Sequence, residues 1–178
     1  MKRLVLIMFA AATLTACAEE PMGPVAPIAA GPYPAGSANE FRAEDFGWST
    51  AAGGGSILGT LGFHSATSRY SCQGGDVILT PETAWTRRRM VILYGSPVAA
   101  AVPLDIVRAR TPSAPTGDYA RFAKRTTCDG DNRFAFTGLP DGAWFVITLA
   151  KPVDAPGETI AVMRRVETHG VPRTVTLN

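Results

Sequence analysis

From residue 56 onward, this chain alternates short apolar runs with clusters of turn-forming residues at intervals of about 8 to 12 positions. The runs are 56–63, 76–79, 90–94, 104–110, 119–127, 133–137, 143–149, 159–166 and 174–177. No long stretch has apolar residues that recur about every 3.6 positions, as an amphipathic helix requires. The pattern therefore predicts an all-β fold, an antiparallel Greek-key β-sandwich of about seven to nine strands.

Alternation within two of the runs assigns side chains to the two faces of a sheet. Phe134 and Phe136 are two positions apart, so both are expected on the face that points to the core. The expected inward set of the run 143–149 is Ala143, Phe145, Ile147 and Leu149. Trp144 is therefore expected to point away from the core.

Two groups of turn residues flank the run 133–137. Asp129-Gly130-Asp131-Asn132 precedes it and Pro140-Asp141-Gly142 follows it, and Asp, Asn and Gly tolerate the left-handed backbone of tight turns. The first group also begins like a calcium loop, but Phe134 stands where that loop needs glycine and Pro140 where it needs glutamate. A β-meander is favoured over a calcium site.

This passage resembles the carboxypeptidase regulatory-like domain, a transthyretin-like sandwich whose signature combines a turn, G-x-F-x-F and G-L-P-x-G-x-Y. The matching residues are Gly130, Phe134, Phe136, Gly138, Leu139, Pro140 and Gly142. The upstream stretch 72–81 is similar to the family's first hairpin, and the resemblance covers about 56–150. It implies a module that is non-catalytic in most of its relatives, with matching residues that serve turns and core and supply no catalytic group.

The N-terminus has the features of an export signal. Lys2 and Arg3 precede an apolar run over 4–14, which is about half the roughly 20 residues of a membrane-spanning helix. Leu14-Thr15-Ala16-Cys17 resembles the bacterial lipobox, which implies removal of residues 1–16 and acylation of Cys17. The alternative is an ordinary secretory signal with a chance cysteine. Ala18, in place of aspartate after Cys17, resembles outer-membrane sorting and predicts a lipoprotein that faces the periplasm.

Processing at Cys17 would also change the charge of the chain. Loss of Lys2 and Arg3 lowers the count of Lys and Arg from 17 to 15, which equals the 15 acidic residues, so the formal net charge falls from +2 to zero. Bulk charge therefore gives no support to nucleic-acid binding.

With Cys17 acylated, Cys72 and Cys128 remain as a pair in an oxidising compartment. This arrangement predicts a disulfide between them, with two buried thiols or a metal pair as the alternatives. A metal pair would lack a nearby histidine.

Residues 17–39, the lipidated cysteine and a Pro-rich, Ala-rich stretch, are predicted to be a spacer because few bulky side chains are present to form a core. The segment 40–55 is interpreted as an adapter. It either packs on the domain edge or becomes ordered when it binds a partner. Residues 56–178 form the predicted sandwich domain.

Catalytic and metal motifs are absent from the sequence. His64 and His169 are isolated, and no G-x-S-x-G elbow or H-E-x-x-H motif occurs. No enzyme activity, metal or cofactor is expected. The predicted binding surface consists of exposed aromatic residues and a basic loop: Trp85, Arg87, Arg88, Arg89, Tyr94 and Trp144.

These features predict a lipid-anchored, non-catalytic envelope protein that acts as an accessory or assembly factor through an envelope protein partner. One alternative is a glycan-binding module that uses the aromatic residues as a platform. Another is a secretion-system lipoprotein, since the type VI lipoprotein is also a transthyretin-like sandwich.

Overall fold

The computed structural model describes residues 38–111, 119–154 and 156–178. The predicted signal peptide, the lipidation site Cys17 and all but the last two residues of the predicted spacer lie outside these ranges. The described strands are β1 (Gly55–Leu61), β2 (Tyr70–Ser71), β3 (Asp76–Pro81), β4 (Ala99–Pro103), β5 (Lys124–Thr127), β6 (Arg133–Leu139), β7 (Gly142–Pro152), β8 (Ile160–Thr168) and β9 (Pro172–Leu177). The helices are α1 (Ala84–Tyr94) and α2 (Leu104–Ala109), with 3-10 helices at Ala43–Thr50 and Tyr119–Phe122.

The strands form two sheets that pack face to face, which confirms the predicted all-β sandwich. One sheet has the order β6-β1-β9. The other has the order β4-β8-β7-β3-β5, with β2 paired to the end of β7. Long apolar side chains fill the space between the sheets, among them Ile57, Leu79, Phe134, Phe136, Trp144 and Val162.

The pairing of β1 with β9 departs from the antiparallel prediction. These two strands run parallel, from Ser56 beside Pro172 to Leu61 beside Leu177, whereas the other pairings of named strands in the described ranges are antiparallel. A parallel pair needs a long crossover connection. Here the connection runs from the end of β1 at Leu61 to the start of β9 at Pro172, so it contains all the other strands of the domain.

A layer of two helices covers the other face of the larger sheet, so the strands predicted at 90–94 and 104–110 are wrong. Met90, Leu93 and Tyr94 of α1 pack with Val107 of α2 against Phe145, Ala161 and Met163 of the sheet. The run Met90 to Tyr94 reads as a strand in sequence because it is apolar and partly β-branched. Capping signals at the two ends of the segment specify a helix instead.

Those signals are a capping box and a glycine stop. The Thr83 hydroxyl accepts a hydrogen bond from the Thr86 amide, and the Thr86 hydroxyl accepts one from the Thr83 amide. At the other end, Gly95 adopts a left-handed conformation with φ of 76° and donates to the Val91 carbonyl. The predicted strand at 119–127 is likewise divided, into the 3-10 helix Tyr119–Phe122 and β5.

The predicted disulfide is confirmed. Cys72 and Cys128 are joined, with their Cα atoms 5.7 Å apart, and both side chains are buried. Beside Cys128, one carboxylate oxygen of Asp129 accepts hydrogen bonds from the Asp131 and Arg133 amides. Asn132 has φ of 61°. The motif from Asp129 to Asn132 is therefore a turn that the Asp129 side chain stabilises.

The segment 40–55 packs on the domain through an aromatic cluster. Phe46 is fully buried, and its ring centroid lies 5.0 Å from that of Phe122 and 6.2 Å from that of Trp85. Phe41 and Tyr119 complete the cluster. This arrangement corresponds to the adapter packed on the domain edge. In the described ranges, no helix is long and apolar enough to cross a membrane.

Candidate ligand-binding pocket

The structure does not form the predicted aromatic platform, because Trp85, Tyr94 and Trp144 are all buried. Trp144 is fully buried and its indole nitrogen donates to the Thr168 hydroxyl over 3.1 Å. The prediction failed because the face of β7 that carries Trp144 packs against the smaller sheet, while the helices cover the part of the other face that carries Phe145. Alternation in sequence identifies the two faces of a strand but not whether a second layer covers one of them.

The Arg87-Arg88-Arg89 cluster lies on α1 and not on a loop, so its three side chains point in different directions. Arg87 donates to the buried Glu82 carboxylate over 2.5 Å, and Arg165 donates to the other oxygen of Glu82 over 2.6 Å. Arg89 lies over the Trp85 ring, 4.9 Å from its centroid. Arg88 is exposed. Two of the three predicted binding arginines therefore contribute to the packing of α1.

Both histidines are exposed and lie apart from any cluster of acids. His64 contacts the Gly62 carbonyl at 3.1 Å, and His169 lies 3.5 Å from Glu167. Among the described residues, no group of three or more His, Cys, Asp or Glu side chains could hold a metal ion.

A pocket of about 410 Å³ opens on the helix-covered face of the larger sheet. We call it the helix-side pocket. Its apolar lining comes from β3, β7 and both helices: Ile78, Tyr94, Leu104, Val107, Ile147 and Leu149. Leu149 is 36% exposed, which is unusual for a large apolar side chain on an inner strand and marks the point where the helices leave the sheet uncovered.

Polar and charged side chains form the rim of the helix-side pocket: Gln73, Asp76, Arg125 and Lys151. Asp76 and Ile78 are two positions apart on β3, so their side chains lie on the same face, and Ile78 is paired with Arg125 of β5. The Arg125 guanidinium donates to the Asp76 carboxylate over 3.3 Å. Lys151 is exposed, and no acidic side chain of the described ranges forms an ion pair with it.

Tyr94 supplies the wall of the pocket at the end of α1. Burial, with a smaller contribution from Tyr119, raises the pKa of Tyr94 to about 12. The hydroxyl of Tyr94 is protonated at neutral pH, as that of an ordinary tyrosine is, and can donate a hydrogen bond. Burial also raises the pKa of Tyr119, whose hydroxyl is hydrogen-bonded to Thr80 of β3. Both tyrosines are therefore neutral at neutral pH.

A second, more open depression lies on the outer face of the smaller sheet. Its volume is about 520 Å³, and Leu58, Thr60, Arg133, Ala135 and Thr174 contribute to its surface. It combines small side chains with hydroxyl groups on a nearly flat face. The helix-side pocket is the better candidate because an apolar floor, a tyrosine and a charged rim converge there.

Tyr94 is the one residue of the predicted binding surface that lines the pocket, and it is buried and not exposed. Cys72, predicted for the disulfide, also lines the pocket. Ile147 and Leu149 were expected to be core residues. The signal that was missed is the short α2, whose six residues cover only part of the sheet.

No family model and no curated protein sequence matches the chain. Its fold is similar to the crystal structure of a Pseudomonas aeruginosa protein described as a "putative carbohydrate binding protein". The TM-score is 0.51 and the sequence identity is 19%, and the match covers 77% of this chain and 96% of that chain. At this identity, the similarity establishes a shared fold.

Proposed function

We propose that this protein is a lipid-anchored, non-catalytic accessory protein of the cell envelope that binds a glycan in the helix-side pocket. The observation that carries the proposal is the convergence of an apolar floor and a polar rim in one concavity. The apolar floor includes Ile147 and Leu149, and the rim includes Asp76, Arg125 and Lys151.

The size and lining of the pocket suit a small ligand or the end of a chain. Ligand pockets usually measure about 300–1,000 Å³ and combine apolar walls with a few polar groups that fix orientation. The pocket of about 410 Å³ is large enough for a short saccharide unit. Its floor would contact the C–H face of a sugar ring, while the rim would bind hydroxyl groups.

The chemistry of the rim supports a glycan. The Asp76 carboxylate accepts hydrogen bonds, the Arg125 and Lys151 side chains donate them, and Gln73 does both. Sugar hydroxyl groups need donors and acceptors close together. The fold shared with the Pseudomonas aeruginosa protein agrees with this ligand class at the level of architecture.

A binding role, and not catalysis, is supported by the chemistry of the described residues. The pocket rim holds one carboxylate, Asp76, which is paired with Arg125, and no histidine lines it. A glycosidase would need two carboxyl groups placed across a glycosidic bond. The proposed activity is therefore retention or presentation of a glycan.

The proposed location follows from the N-terminal sequence. An acylated Cys17 would hold the domain at the outer membrane, facing the periplasm, and residues 17–39 would serve as the spacer. Metabolic labelling with a palmitate analogue tests this part: the Cys17→Ser chain should carry no label and should leave the membrane fraction. Label that persists in the Cys17→Ser chain contradicts it.

Calorimetric titration with soluble peptidoglycan fragments and with soluble envelope polysaccharide tests the binding role. Asp76→Ala and Lys151→Ala should each weaken binding by about tenfold or more, since a hydrogen bond to a charged group contributes about 1.5–3 kcal/mol. Asp131→Ala and Arg173→Ala are matched controls, because these exposed charges lie outside the pocket. Equal losses in both sets, or no binding of either probe, would contradict the proposal.

A further inference from the structure

Residues 84–111, which contain α1, the edge strand β4 and α2, carry a large share of the exposed apolar side chains. We call these residues the helical layer. Val91, Ile92, Val98 and Ile106 have exposed fractions of 46%, 48%, 58% and 39%. They are half of the eight large apolar side chains that are exposed in the described ranges. Exposed apolar side chains gathered on one layer indicate a binding surface.

The two sides of α1 differ in burial. Thr86, Met90 and Leu93 are buried toward the sheet. Arg88, Val91 and Ile92 are spaced three and four residues apart, so they share the outward side, and all three are exposed. The outward side of α1 is therefore apolar with a cationic end.

The same layer holds most of the charge asymmetry of the chain. Its charged residues are Arg87, Arg88, Arg89, Asp105, Arg108 and Arg110, which give a formal net charge of +4. The chain from Cys17 to the C-terminus has 15 basic and 15 acidic residues, so the remainder carries −4. Glu82, just outside this range, pairs with Arg87, and the layer still keeps an excess of positive charge.

Some arginines of the layer are bound to other groups of the protein, and others are not. Arg87 is bound to Glu82, and Arg110 donates to the Leu93 carbonyl over 3.1 Å, which ties α2 to the end of α1. No acid in the described ranges forms an ion pair with Arg88 or Arg108, and both are exposed. Their guanidinium groups are available to an anionic partner.

We propose that the helical layer rests on an anionic membrane surface, with Val91 and Ile92 in the headgroup region and Arg88 and Arg108 on lipid phosphates. On α1, Arg88 lies beside Val91 and Ile92, and an arginine beside exposed apolar side chains is a combination that binds such an interface. The second arginine, Arg108, is supplied by α2. A protein partner would need a matching acidic, apolar groove, whereas a bilayer supplies both components. This inference is independent of the proposed glycan.

The dimensions of α1 agree with a helix that lies on the surface. Its 11 residues are about 16 Å long, against about 30 Å for the hydrocarbon core of a bilayer. The layer would set the orientation of the domain on the membrane, in addition to any acyl anchor.

Fluorescence quenching in vesicles tests the contact. The full chain is incorporated into vesicles of phosphatidylcholine with phosphatidylglycerol, some of them with a nitroxide near the headgroup. A bimane probe is attached at Ile92→Cys or, as a matched control, at Val171→Cys, which replaces a similarly exposed valine. Quenching at position 92 is expected to exceed that at position 171 by at least about threefold.

The charge contribution is tested in the same vesicles. The double change Arg88→Ser and Arg108→Ser, or pure phosphatidylcholine, should lower quenching at position 92 to the level at position 171. Equal quenching at the two positions in the anionic vesicles overturns the proposal. Quenching at position 92 that ignores both the double change and the lipid charge also overturns it, and would direct the search to a protein partner.

Discussion

The indole ring of Trp48 lies edge-on against the ring of Trp144, with ring centroids 4.9 Å apart. Trp48 belongs to the N-terminal 3-10 helix and Trp144 to the central strand β7, so the contact joins the segment before the sandwich to its core. Gly142 makes room for it: a Cβ atom there would lie 2.2 Å from the Trp48 ring. The segment 40–55 is thus part of the folded domain.

Gly142→Ala should destabilise the protein by about 2–4 kcal/mol. The added methyl would collide with Trp48, and φ of 156° at this position disfavours an L side chain. Urea unfolding followed by tryptophan fluorescence measures the change. Gly47→Ala is the control, because a Cβ atom at Gly47 would meet nothing within 4 Å. Similar midpoints for the two variants would contradict the role of Gly142.

Trp144→Ala should destabilise the domain by about 3–5 kcal/mol, since it removes a fully buried ring and leaves a cavity between the sheets. An exposed platform residue would instead leave stability unchanged and weaken ligand binding. Thermal unfolding of the purified variant distinguishes the two. A melting temperature equal to that of the unchanged protein would restore the surface role predicted from sequence.

Replacement of both Cys72 and Cys128 by alanine should lower stability by about 4 kcal/mol on the loop-entropy estimate, since the bond closes a loop with a sequence separation of 56. Comparison of unfolding midpoints with and without reductant measures the same effect in the unchanged chain. The double variant should show no response to reductant. A midpoint for the unchanged chain that is insensitive to reductant would count against a stabilising bond.

Acid should weaken the ion pair between Arg165 and Glu167. Hydrogen bonding to Arg165, followed by its positive charge, holds the pKa of Glu167 below its ordinary value of 4.5. The carboxylate therefore stabilises the fold above that pH, and the contribution is lost as the pH falls through the lowered pKa. The effect should be small, because the Glu167 side chain is 45% exposed.

The measurement for this prediction is urea unfolding of the unchanged chain and of Glu167→Gln at neutral and acidic pH. The difference between them should shrink in acid. Glu158→Gln, which changes an exposed carboxylate in the same part of the chain, should show no such convergence. A gap for Glu167→Gln that stays constant with pH would refute the assignment.

The sequence predicted those parts of the fold that local chemistry determines. Phe134 and Phe136 are both buried between the sheets, as their two-residue spacing predicted, and the turn residues beside them form turns. The disulfide followed from a simple count of cysteines. Strand alternation and turns depend on residues that are neighbours in the chain, and the disulfide followed because two cysteines remained. None of these predictions required knowledge of which elements pack together.

The helical layer was missed because its apolar residues have no clear helical period. Val91 and Ile92 are apolar but exposed, so α1 reads as a continuous apolar run. The Thr83 cap and Gly95 stop were the available signals. The candidate pocket was missed for the same reason, since it exists only where α1 and α2 leave β7 uncovered. The resemblance to the carboxypeptidase regulatory-like domain stays a prediction.

NMR titration of the isotope-labelled protein with soluble peptidoglycan fragments and envelope polysaccharide tests whether the helix-side pocket binds the ligand. Amide shifts are expected to concentrate at Asp76, Ile78, Leu149 and Lys151. Shifts confined to the outer face of the smaller sheet, at Thr60, Ala135 and Thr174, would contradict this proposal, as would a spectrum that neither probe changes.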